Sequence, residues 1–181
     1  MRQVQIGFLL RRFMTLKKLA VVETGGEWVA GVFTPSGLYA TSLPRKSRKE
    51  AIRAVDGVDL EESNEPELIE IVKAAYAVTK GKDHPALKSV NLDLSDLTEK
   101  QRRVMEETLR IPRGSTATYG DVAKRAGVPS GARFVGNVMA SNRLAPIVPC
   151  HRVVASKGLG GYGLGLGKKM EILTLEGAFA D

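Results

Sequence analysis

Apolar positions in the first third of the chain fall in short runs. Residues 4–10, 19–23, 27–34 and 37–42 are apolar or alternating, with Gly25, Gly26, Pro35 and Ser36 between them. Alternation at period two, broken by pairs of turn residues, predicts strands joined by hairpins. Residues 48–55 and 66–79 instead carry apolar residues three and four apart, the spacing of one helix face. Residues 1–85 are therefore expected to form an α/β domain, a small antiparallel sheet with helices. The polar, breaker-rich stretch 81–85 marks its end. Asn91 to Leu94 alternates again and reads as a short strand or a linker.

The pattern changes after Ser95. Thr98 and Gln101 form a capping box, so a helix starts there and runs to about Ile111 before Pro112 and Gly114 stop it. Thr118 caps a second helix over 119–126, ended by Gly127. Residues 128–130 are a turn, and a third helix runs from Gly131 or Ala132 to about Ser141. Helix, short turn and helix over 119–141 is the size of a helix-turn-helix, whose second helix enters a DNA groove with its N-terminal residues nearest the bases. Arg133 stands at that N-terminus. Residues 90–181 are thus expected to be a mainly helical domain containing a helix-turn-helix.

Charge agrees with this reading without proving it. The net charge is +7 over 181 residues, and basic proteins attract polyanions. No apolar run reaches the roughly 18 residues of a membrane span. The first residues lack the continuous apolar core of a signal peptide. The expectation is a soluble protein of the cytoplasm. One cysteine excludes an internal disulfide and a zinc site built on several thiolates. No metal and no cofactor are expected.

That cysteine sits in the most informative segment, Pro146-Ile147-Val148-Pro149-Cys150-His151-Arg152-Val153-Val154. A lone cysteine is most often a small buried hydrophobe. Here it adjoins one of two histidines and an arginine, which favour the nucleophilic thiolate. In extended chain Cys150 and His151 would face opposite ways, so a water would carry the proton between them. A DNA-binding module without transfer chemistry and a cysteine hydrolase using Cys150 and His151 remain open on these residues alone.

Several spaced motifs in order extend the picture. Pro149-Cys150-His151-Arg152 resembles the active-site signature of the O6-alkylguanine-DNA alkyltransferases, the methylated-DNA–protein-cysteine methyltransferases. Ala132 to Met139 resembles their recognition helix, and Asn142 falls at their asparagine hinge. Gly160-Gly161-Tyr162 and Lys169 to Gly177 resemble the closing loop and the last helix. The resemblance covers about 97–177; residues 1–90 resemble the family's variable N-terminal domain only in size and class.

The resemblance implies a partner, a reaction and a set of roles. The partner is double-stranded DNA containing O6-alkylguanine, and O4-alkylthymine as a further substrate. The protein acts as a monomer and transfers each alkyl group irreversibly to Cys150. His151 takes the thiol proton, Glu176 holds His151, Tyr162 donates toward guanine O6, and Asn142 ties the recognition helix to the cysteine loop. Arg133 fills the gap left by a flipped base. Tyr119 presses on the phosphate. Gly120, Ser130 and Ser156 contact phosphates, and Met139, Val153 and Gly163 line the base pocket. There is no N-terminal cysteine for the zinc site that some relatives carry.

Overall fold

The computed structural model describes residues 17–57 and 60–179; the apolar run at 4–10 lies outside them. β1 (Lys18–Thr24) and β2 (Glu27–Thr34) pair antiparallel through a two-residue loop, Thr24 opposite Glu27. Gly25 and Gly26 both have positive φ, 58° and 75°, as a hairpin turn matching the strand twist requires. β3 (Gly37–Thr41) pairs antiparallel with β2. These three strands follow the expected boundaries within two residues.

The sheet is nevertheless mixed, not purely antiparallel. Its order is β3-β2-β1-β4, and β4 (Glu61–Glu62) runs parallel to β1. Between β3 and β4 the chain crosses the sheet through α1 (Arg48–Arg53), a connection long enough for parallel pairing. Two consecutive glutamates carry no strand signal, so the period-two pattern could not reveal this edge.

β2 is buried on both faces. Ala30 and Val32 pack with Leu19, Ala40, Ala51 and Val55 toward α1. Val29 and Phe33 pack with Ala20, Val22, Val72 and Ala75 toward α2 (Pro66–Thr79). At Gly31 an added Cβ would lie 2.8 Å from Val72 Cγ2, so this glycine lets α2 approach the strand.

The second half follows its capping signals. α3 (Glu99–Leu109) and α4 (Tyr119–Arg125) each begin at a threonine, Thr98 and Thr118, whose hydroxyl accepts from the third helical N–H. Gln101 and Asp121 return the bond to the cap. Past the α4 cap at Ala126 the chain leads through Gly127 and Ser130, both with positive φ, into α5 (Ala132–Ala140). Val122, Ala123, Ala126, Val135 and Val138 bury the faces these helices share. α6 (Leu166–Glu176) ends at left-handed Gly177.

Two features connect the halves. One apolar cluster runs from Ala20, Phe33 and Val72 through Leu43 to Val104, Val135, Val148 and Val153. Segment 91–93 also hydrogen-bonds β3, with Leu38 N–H donating to the Asn91 carbonyl and Asp93 N–H to the Leu38 carbonyl. The alternating stretch at 91–94 is thus a single bridge, Leu92 beside Leu38.

Candidate active site

Pro149 interrupts backbone donation before Cys150, and the chain turns there. Cys150 N–H donates to the Val148 carbonyl at 2.8 Å and Arg152 N–H to the Pro149 carbonyl at 2.9 Å. Cys150–Arg152 is a 3-10 turn, not the extended segment expected. Strand geometry begins only at β6 (Val153–Val154), which pairs parallel with β5 (Ala117–Thr118). The turn buries both Cys150 and His151.

Behind the turn lies a closed network. His151 Nε2 is 3.1 Å from Glu176 Oε1, and Arg152 donates to both Glu176 oxygens, at 2.9 and 2.8 Å. A bidentate guanidinium–carboxylate pair is the strongest such geometry. Burial alone would raise the Glu176 carboxyl, but the bonds from His151 and Arg152 outweigh it and hold it down at about 2. Burial is also the largest influence on His151 and keeps its pKa below the usual histidine value, against the pull of Glu176. His151 is therefore neutral at pH 7. With its Nε2 proton directed at Glu176, its buried Nδ1 is a free acceptor, lacking a hydrogen-bond partner among the described residues.

The thiol differs from expectation. Burial pushes the Cys150 pKa up, more than Asn142, Lys169 and the backbone N–H groups of Cys150 and His151 pull it down. The resting group is a thiol. Arg152 does not favour a thiolate, because its guanidinium faces Glu176 and the Ile111 carbonyl.

Cys150 opens onto a cavity of about 320 Å³. Asn142, Tyr162, Tyr119, Met139 and Gly163 line it too, so five further sequence-predicted residues converge there. Asn142 Nδ2 donates to the Val148 carbonyl, and its Oδ1 accepts from Leu144 N–H. It thereby ties the end of α5 to the cysteine turn. The Tyr162 ring stands edge-on to His151 at 6.3 Å, and its buried hydroxyl has no partner among the described residues. Burial, then the proximity of Cys150 and Glu176, pushes its pKa up, so it stays a proton donor.

Val153 does not line the cavity. It is fully buried in β6 opposite Ala117, inside the core. Gly120, Ser130, Arg133 and Ser156 lie outside the cavity on exposed surface: the start of α4, the α4–α5 turn, the start of α5 and the loop after β6. Lys169 was not singled out for a role, yet it is completely buried, donating to the carbonyls of Val153 (2.6 Å) and Gly161 (3.1 Å). Burial lowers its pKa to about 8, although Cys150 opposes the shift. A lysine on a helix gives no sequence sign of burial, since that residue type is almost always exposed. Among the described residues no group of three His, Cys, Asp or Glu side chains is placed to hold a metal, and no helix is long and apolar enough to cross a membrane.

Fold and site together define a protein with one buried cysteine at a cavity wall, backed by a histidine–carboxylate pair and set beside two helices joined by a short turn. Residues 99–178 match the model of the 6-O-methylguanine DNA methyltransferase DNA-binding domain. The chain is 33% identical over 159 residues to a methylated-DNA–protein-cysteine methyltransferase of Methanocaldococcus vulcanius, covering 86% of this chain and 95% of the relative. A Mycobacterium leprae relative of the same name is 47% identical over 89 residues, 49% of this chain and 53% of its own length. The match thus spans about half of that relative. The crystal structure of Mycobacterium tuberculosis OGT in complex with DNA superposes with a TM-score of 0.68 at 30% identity, covering 89% of this chain and 93% of that one. The chain belongs to the methylated-DNA–protein-cysteine methyltransferase family.

Proposed function

We propose that the protein repairs DNA by moving the alkyl group of O6-alkylguanine, and of O4-alkylthymine, onto Cys150. The carrying observation is the cysteine at the wall of a cavity with His151, Glu176 and Arg152 closed behind it. The His151 Nδ1 takes the thiol proton through a water. The sulfur–carbon bond forms as the carbon–O6 bond breaks. The Tyr162 hydroxyl donates a hydrogen bond to O6 as that bond breaks, and the proton taken from the thiol by His151 is passed on to the departing guanine, which leaves neutral with Tyr162 still protonated. Glu176 stabilises the charged His151 in the interval, the orienting role of a triad carboxylate. A thioether has no leaving group for a second thiol, so each molecule acts once.

Access to the base requires flipping, which costs a few kcal/mol. Exposed Arg133 at the start of α5 suits insertion into the emptied stack, and α4 with α5 is read as the helix-turn-helix that docks on double-stranded DNA. Tyr119, Gly120, Ser130 and Ser156 are assigned to the phosphates. Met139 and Gly163 are assigned to the base pocket; Asn142 is the hinge. We assign 1–85 as the scaffold domain and 90–181 as the DNA-binding and transfer domain. We read the protein as acting as a monomer, and a thiol that must stay reduced suits the cytoplasm.

Incubation with duplex DNA carrying labelled O6-methylguanine tests the reading. One equivalent of label is expected on the wild type and none on Cys150→Ala. Label on the variant, or repeated turnover, refutes it. Binding without a covalent product would make the protein a lesion-binding module.

A further inference from the structure

We propose that Leu43, contributed by the sheet half, sets the largest alkyl group the cavity accepts. This rests on the alkyl-transfer reading above. Leu43 follows β3 by two residues, is 9% exposed, and lines the same cavity as Cys150 and Tyr162. Its Cδ1 lies 3.8 Å from the point a Cβ on Gly163 would occupy, so it faces the loop that closes the cavity.

The composition of the wall singles it out. Gly136, Ala140, Ala145, Gly161 and Gly163 present almost no side-chain bulk. Tyr162 is committed to the reacting oxygen, Asn142 to the backbone and Tyr119 to the phosphate. The remaining aliphatic bulk is Met139 and Leu43. Methionine is unbranched and adapts its shape, whereas branched leucine keeps its volume in place. An alkyl group larger than methyl therefore meets Leu43 as the stiff obstacle.

The backbone on either side cannot easily give way. Thr41 N–H donates to the Arg143 carbonyl and the Thr41 hydroxyl to the Ala145 carbonyl, both at 2.8 Å. Ser42 exchanges bonds with Ala30: its N–H donates to the Ala30 carbonyl and its hydroxyl oxygen accepts from Ala30 N–H. Arg143 Nε returns a bond to the Tyr39 carbonyl at 2.7 Å. The exit of β3 is thereby strapped to residues 143–145, which include the cavity-lining Ala145. Leu43 is held beside the Ala145 wall of the cavity, facing Gly163.

The test compares single-turnover transfer from duplex DNA carrying O6-methylguanine with transfer from duplex carrying O6-benzylguanine, read by intact mass. One carbon in an apolar pocket changes selectivity by about tenfold or more. Leu43→Ala should raise the benzyl-to-methyl rate ratio about tenfold or more, and Leu43→Phe should lower it by a similar factor. Leu43→Val carries the same prediction in smaller degree should Leu43→Ala fail to fold. Equal changes in both rates, or no change in the ratio for Ala, Val and Phe, overturn the proposal. A wild-type protein that forms no adduct with either DNA refutes the transfer reading instead.

Discussion

Replacing Glu176 by glutamine keeps the shape of the side chain and removes its charge. The carboxylate accepts from His151 Nε2 and from two Arg152 nitrogens, and its side chain is 1% exposed, beside His151 at 0% and Arg152 at 12%. In the variant one oxygen becomes an NH₂ group that points a donor at Arg152 or His151. The guanidinium then lies mostly buried without its counter-charge. Removing one partner of a buried ion pair costs about 3–5 kcal/mol. For a chain of this length that corresponds to a melting temperature lower by roughly 6–20 °C. The pH dependence carries a sign. The folded carboxyl titrates at about 2, below its unfolded value of 4.5. The stabilisation is therefore fully present above pH 4.5 and is lost as pH falls toward 2. Urea unfolding followed by circular dichroism at pH 7, 4 and 3 should show the gap between wild type and Glu176→Gln shrinking over that window. A gap below about 1 kcal/mol at pH 7, the worth of an exposed pair, would refute the buried-network argument. So would a gap as large at pH 3 as at pH 7.

Three other outcomes are expected. Burial holds the His151 pKa below 6.5, so the transfer rate should decline at acid pH as His151 charges and change far less than tenfold per unit above pH 7. A tenfold rise per unit toward pH 9 would show instead that a free thiolate governs the rate. Arg133→Ala should slow transfer from duplex DNA by about tenfold or more while sparing the reaction with free O6-benzylguanine, because only the duplex must pay for base flipping; equal slowing of both would contradict a flipping role. Thr41→Val removes the donor to the buried side of the Ala145 carbonyl and should destabilise the fold by about 1–3 kcal/mol, with a smaller loss arguing that the strap between β3 and the cavity wall is weak.

Local signals were legible in the sequence; signals that need a second segment were not. Thr98 with Gln101 and Thr118 with its third helical N–H are complete within four residues, and both caps form where the sequence places them. The β1–β2 turn is equally local, since two glycines suffice to permit it. The Glu61–Glu62 edge exists only because β1 offers it a partner. The fold of 150–152 depends on carbonyls at 148 and 149, which make a 3-10 turn where extended geometry is expected for Cys150 and His151. Val153 is assigned to the pocket by resemblance, but pairing of β6 with β5 puts it in the core. Leu43 drew no attention because a leucine at a strand exit is core by default.

The same distinction governs the chemistry. Adjacency along the chain suggests that Arg152 lowers the cysteine pKa, but Glu176, 24 residues away in sequence, accepts both of its relevant donors. What then reaches Cys150 from the network is a neutral His151, not a positive charge. Nucleophilicity must arise during the reaction, when a proton moves to Nδ1 and Glu176 compensates the new charge. A thiol at rest reacts slowly with oxidants and stray electrophiles, which attack the thiolate. On the proposed single-use transfer, this resting state preserves the protein until a damaged base occupies the cavity. Glu176 therefore stabilises the state after proton transfer more than the state before it. Its loss should lower the transfer rate more than it weakens DNA binding.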